Sequence, residues 1–212
     1  RGGGGDPEGN PRLRRAIDEA RAANMPADNV TRAIKKGTGE LEGVNYEELV
    51  YEGIGPDGAL FLCEVVTDNR NRTIAEVRKI FDKNNGQIGS SGSAAWAFEQ
   101  KGIIRLDKSV AEEDVLFELA VGAGAENLEL VDDQWEITTA RNDLDAVSKV
   151  VADGGVAVGN ASLAWVPNNP KVVEGRDAEK LVQLYEALED NEDVQNVFAD
   201  FELSERALDE LG

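Results

Sequence analysis

Apolar and polar positions alternate in different periods along this chain of 212 residues. Leu13, Ala16, Ile17, Ala20 and Ala23 recur at helical spacing behind Asn10 and Pro11, a cap and a first-turn proline. Val30, Ala33 and Ile34 mark a second helix that Pro26 enters and Gly37 ends. After Asn45 the period shortens. "ELVYEGI" and "ALFLCEVVT" read as strands of a hairpin turned at "GPDG". A helix Ile74–Asn84 follows with Ile74, Val77, Ile80 and Phe81 inward, its start set at Thr73 by a Thr73–Glu76 capping box. "NNGQIGSSGS" reads as a turn-rich loop and "AAWAFEQ" as a strand.

Next come "GIIRLD" (strand), "AEEDVLFELAVGAGA" (helix), "NLELV" and "WEITTA" (strands), "NDLDAVSKVVADGG" (helix) and "ASLAWVP" (strand). That order, βαββαβ, is a ferredoxin-like unit. "KVV", a helix Ala178–Glu189 and the strand "VQNVFADFEL" are too little for a further domain. The pattern therefore predicts an α+β protein of three domains. They are an N-terminal helical domain at 1–44, a discontinuous central α/β domain at 45–99 plus 171–203, and an inserted ferredoxin-like domain at 101–166. "EQKG" and "PNNP" would be the hinges.

Composition narrows the chemistry. Histidine is absent, which excludes a Ser-His-Asp triad, a Cys-His pair and histidine-bearing zinc sites. Cys63 is alone, so neither a disulfide framework nor a cysteine metal cluster is expected, and it reads as a small buried apolar residue. No apolar run approaches the roughly 18 residues of a membrane span, and no signal-peptide pattern opens the sequence. Carboxylate catalysis remains possible with 42 Asp and Glu, but most of those must be solvated surface charge, and a cytoplasmic, non-enzymatic protein without metal or small-molecule substrate is the expectation.

Charge changes the picture again. The formal net charge is −20, yet residues 1–37 carry eight Arg/Lys against five Asp/Glu, a balance of +3 that leaves −23 for the remainder. Arg12, Arg14, Arg15 and Arg21 decorate the first helix, where Asp18 and Glu19 can pair with them or leave them to face a nucleic acid. Lys35 and Lys36 end the second helix, where the dipole alone favours cations. In "TDNRNRTIAEVRKIF" Arg70 and Arg72 precede the helix start, with Arg78 and Lys79 one turn on. Cations there oppose the dipole. They either pair with acids such as Asp68 or assemble an anion site with the free amides. "NGQIGSSGS" lacks the Gly-Lys-Ser/Thr of a P-loop and leads into a strand, so it reads as a turn. Trp96, Trp135 and Trp165 lie in strand patterns and read as core rather than as base-stacking platforms.

The segments "GGGDPEGNPRLRRAIDEARAANMPADNVTRAIKKGTGE", "YEGIGPDG", "TDNRNRT" and "GSSGSAAWAFEQKG" resemble, in order, the signature blocks of the YebC family. The resemblance spans essentially the whole chain. It implies the same three domains, no catalytic residues and no cofactor. It implies a probable transcriptional regulator that binds DNA or, as some relatives do, a ribosome-associated translational activator acting on RNA. The basic surfaces it assigns to nucleic acid map onto Arg12, Arg14, Arg15, Lys35, Lys36, Arg70, Arg72, Arg78 and Lys79. Members of the family open with a short Lys/Arg-rich segment ahead of the glycine run, which this sequence, opening at Arg1, does not show. The net charge of −20 is therefore expected to overstate the native negative charge.

Overall fold

A computed structural model describes residues 4–38, 46–131 and 133–211. The fold is α+β, and the chain divides into two compact units. One comprises Arg1–Val44 and Gln100–Ala164, the other Asn45–Glu99 and Trp165–Gly212. The expected boundary at 44–45 lies outside the described residues.

In the first unit, α1 (Pro11–Ala22) starts where the sequence places it: the Asn10 side chain accepts from the Leu13 amide at 3.1 Å. Helix α2 (Ala27–Thr38) follows, and neither helix fully buries a residue. The remainder is the predicted βαββαβ unit. It runs β4 (Phe98–Asp107), α4 (Glu113–Gly122), β5 (Ala125–Val131), β6 (Gln134–Ala140), α5 (Leu144–Asp153) and β7 (Asn160–Pro167), with sheet order β5-β6-β4-β7. Ile104, Leu106, Trp135 and Ile137 from the sheet meet Leu116, Ala120, Leu144, Val147 and Val151 from the two helices. Two expected strands, "AAWAFEQ" and "GIIRLD", are one: β4 is continuous from Phe98 through Asp107, so "EQKG" is strand, and the division between the two units falls within it, after Glu99. Ahead of it, Ala95–Ala97 make a 3-10 turn.

The second unit centres on a sheet of order β3-β1-β2-β9, from β1 (Glu47–Ile54), β2 (Leu60–Thr67), β3 (Gln87–Ile88) and β9 (Val194–Ala199). The β1–β2 hairpin turns at Pro56–Gly58 with Asp57 and Gly58 at positive φ, which glycine and aspartate tolerate. Strand β2 is apolar at consecutive positions because both faces are covered. Phe61, Cys63 and Val65 face α3 (Arg70–Lys83) and α6 (Gly175–Glu189), while Leu60 and Leu62 pack on Ala94, Ala97, Phe98 and Trp165. In α3 the stripe Thr73, Val77 and Phe81 is fully buried. Burying Phe81 alone is worth about 1.5–3 kcal/mol, and its ring stands edge-on to Phe61 at 5.9 Å.

The expected final strand "VQNVFADFEL" divides at Asp200, whose carboxylate accepts from the Leu60 amide at 2.7 Å. Beyond it, β10 (Phe201–Leu203) leaves the larger sheet and pairs in parallel with β8 (Lys171–Val173), and α7 (Glu205–Leu211) follows.

Candidate nucleic-acid interface

Helix α3 begins four residues earlier than the capping-box reading places it. Asn69 is the N-cap, its side chain accepting from the Arg72 amide at 3.1 Å. Arg70 and Arg72 therefore lie inside the first turn, where the unpaired amides make cations still less favourable. Thr73 is buried and caps nothing; Glu76 instead accepts from the Asn191 side chain at 3.2 Å.

The compensating anion is the protein's own. Asp193, from the turn before β9, takes the Arg72 guanidinium at 2.8 and 3.0 Å, the Thr73 hydroxyl at 2.5 Å and the Thr67 hydroxyl at 3.3 Å. Asp68 adds a second ion pair to Arg72 at 3.1 Å. Burial works against the Asp193 charge, but the Arg72, Thr73 and Thr67 donors together hold its carboxyl below the usual range. Arg72 is thus an internal strut, half exposed but neutralised by two acids. Arg70 is exposed, and its carbonyl takes a long bond of 3.5 Å from the Tyr51 hydroxyl. Arg78 and Lys79 lie on the solvent face of α3 and form no ion pair with any described residue.

The N-terminal cations divide similarly. Arg14 donates to the carbonyls of Pro7 and Glu8, both at 3.2 Å, clamping the segment ahead of α1. Arg15, largely covered, pairs with Asp145 of α5 at 2.5 Å. Arg12, Lys35 and Lys36 are exposed, the two lysines in the last turn of α2. Of the nine predicted residues, Arg15 and Arg72 are ion-paired with Asp145 and Asp193. Arg12, Arg14, Lys35 and Lys36 are exposed on one unit and Arg70, Arg78 and Lys79 on the other.

The glycine-serine loop has an internal anchor. Glu52 of β1, only 8% exposed, accepts from the amides of Gly92, Ala94 and Ala95 at 2.6, 2.6 and 2.8 Å. Its carboxyl also sits below the usual range: burial raises it, and the three N–H donors more than offset that. Because Ala94, Ala97 and Phe98 take the inward positions, Trp96 points out. It is 72% exposed, not core as its strand-like context suggests, whereas Trp135 is buried and Trp165 half-buried. An apolar hollow of about 410 Å³ beside β9, lined by Trp165, Tyr185, Phe198 and Phe201 among others, presents no charged side chain to a phosphate.

The model of the TACO1/YebC protein N-terminal domain matches residues 1–40, and that of the TACO1/YebC second and third domain matches residues 46–201. The chain belongs to the TACO1/YebC family. A family relative from Desulfatibacillum aliphaticivorans, named "Probable transcriptional regulatory protein", is 49% identical over 98% of this chain and 84% of its own length. One of the same name from Pelotomaculum thermopropionicum is 49% identical over 97% and 85%. A crystal structure of a conserved hypothetical protein from Aquifex aeolicus superposes with a TM-score of 0.91 at 42% identity, covering 97% of this chain and 85% of that one.

Within the TACO1/YebC chain, three residues that shape these surfaces escape a linear reading: Asp193, Glu52 and Trp96. Asp193 and Glu52 are two of many carboxylates, and their partners lie 120 and 40 or more residues away in sequence. Trp96 did carry a signal. The run from Asn84 to Phe98 has no charge at all in a chain that is 30% charged. Among the described residues no cluster of His, Cys, Asp and Glu is arranged to hold a metal, and no helix is long and apolar enough to cross a membrane.

Proposed function

We propose that this chain is a transcriptional regulatory protein that binds DNA by phosphate contacts from its outward cations: Arg12, Lys35 and Lys36 on the N-terminal helices, and Arg70, Arg78 and Lys79 on α3. The observation that carries the reading is Arg78 and Lys79. Acids outnumber bases 42 to 22 here, and still this adjacent pair stands on an exposed helix face without an acid partner among the described residues. Such a local positive face can hold a polyanion against an unfavourable net charge. The names of relatives 49% identical over nearly the whole chain support the regulatory role.

The second reading is an RNA- or ribosome-bound translational activator. It is favoured by the ion pair of Arg15 with Asp145 and by the bonds of Arg14 to the Pro7 and Glu8 carbonyls, which tie down cations that a groove-reading first helix would present.

A salt series with a labelled duplex and with ribosomal RNA tests both. Replacing Lys35, Arg78 and Lys79 by Ala should weaken binding and flatten the salt slope by about 0.9 per lost duplex contact, or about 0.7 for a single strand. Unchanged affinity and slope would remove these residues from the interface. Binding to RNA and co-sedimentation with ribosomes, without binding to the duplex, would replace the first reading by the second.

A further inference from the structure

We infer that Trp96 is a stacking platform for an unpaired nucleobase. This deepens the nucleic-acid reading above and rests on it. The sequence places two long stretches without a charged residue in this chain, from Asn84 to Phe98 and from Gly154 to Pro170. The fold joins them at Trp96. The Asn168 amide donates to the Ala97 carbonyl at 2.8 Å, and the Asn168 side chain reaches the Trp96 carbonyl at 3.4 Å. An indole standing at that junction has small neutral neighbours along the chain, Ser93, Ala94, Ala95 and Ala97, and the segment that meets it is equally neutral. A polyanion meets less repulsion there than over most of a surface carrying −20.

The indole is also held. Its N–H donates to the Ser93 carbonyl at 3.0 Å, and the backbone on its N-terminal side hangs from the Glu52 carboxylate. The ring keeps one orientation and spends its only donor within the loop, so what it offers is a π face. A preordered aromatic face loses little entropy on binding, and stacking accepts any base. The flanks favour a base over a protein partner. A protein hot spot is ringed by further contacts that exclude water, whereas the residues bracketing Trp96 in the chain are small or buried. Bases inside a duplex offer no free face, so the ligand is a single-stranded segment, of RNA or of melted DNA.

The test uses the full chain and four labelled probes: oligo(A) RNA, oligo(dA) DNA, and each annealed to its complement. Trp96→Ala should weaken single-strand binding roughly 5- to 150-fold while leaving the salt slope unchanged, because stacking releases no counterions. Trp96→Phe should retain most of the affinity, and duplex binding should be the same in all three proteins. A larger loss on RNA than on DNA would assign the strand to RNA, and the reverse to melted DNA. Since the side chain is exposed, urea midpoints should coincide. If Trp96→Ala binds both single strands like the wild type while the Lys35/Arg78/Lys79 variant loses binding, the stacking site is overturned and the nucleic-acid reading stands; the indole would then belong to a protein contact. If the wild type binds none of the four probes, both fall.

Discussion

Glu52 offers a test of how the exposed tryptophan is held. Three backbone N–H groups converge on one carboxylate that is 8% exposed, at 2.6–2.8 Å. One oxygen serves Gly92 and the other serves both Ala94 and Ala95. Glu52→Gln keeps the shape and one acceptor, which can serve the Ala94–Ala95 pair, and turns an NH2 toward the third amide. A hydrogen bond to a charged acceptor contributes about 1.5–3 kcal/mol, and bonds sharing one group do not add, so the substitution should cost about 2 kcal/mol and Glu52→Ala about 3–5. The pH dependence follows from the lowered carboxyl. Its stabilisation is complete above the unfolded pKa, about 4.3, and is lost as pH falls through the lower folded value. The gap between wild type and Glu52→Gln should therefore be widest near neutrality and close in acid. Urea unfolding at both ends of that range measures it, and hydrogen exchange at Gly92, Ala94 and Ala95 detects a loop released without global unfolding. A neutral-pH gap under about 0.5 kcal/mol, the level of an ordinary surface change, with exchange unaltered would mean that Glu52 does not anchor the loop. A gap as large in acid as at neutrality would mean that its charge is not what the amides bind.

Two further outcomes separate structural from binding roles. Arg72→Ala should lower the urea midpoint, because it strips Asp193 and Asp68 of their shared cation, and should leave the salt slope of nucleic-acid binding unchanged; a flattened slope at an unchanged midpoint would return Arg72 to the interface. Gly53→Ala would set a methyl 2.3 Å from the buried Phe81 ring. Overpacking of this kind costs about 1–3 kcal/mol, so a variant with wild-type stability would contradict the packing of β1 on α3.

Much of the local structure was already written in the residues. Asn10 and Pro11 start α1, the β1–β2 hairpin turns at "GPDG", and the periodicity of Val77 and Phe81 names the inner face of α3. The βαββαβ order and the excess of cations at the N-terminus were equally legible. These depend on hydrogen bonds and side-chain directions within a few residues, which a linear pattern encodes. Thr73–Glu76 misled because two residue types satisfy the capping pattern while Asn69, four positions earlier, satisfies it in space. "AAWAFEQ" misled because its alternation is taken up by a 3-10 turn that puts Ala94, Ala97 and Phe98 inward and leaves Trp96 to solvent. Which cations remain available was decided only when the chain closed on itself. Asp193 reaches Arg72 across 121 residues and Asp145 reaches Arg15 across 130. An ion pair depends on separations of a few ångströms that only the packed tertiary structure sets, and so the open basic face is smaller than the basic residues in the sequence.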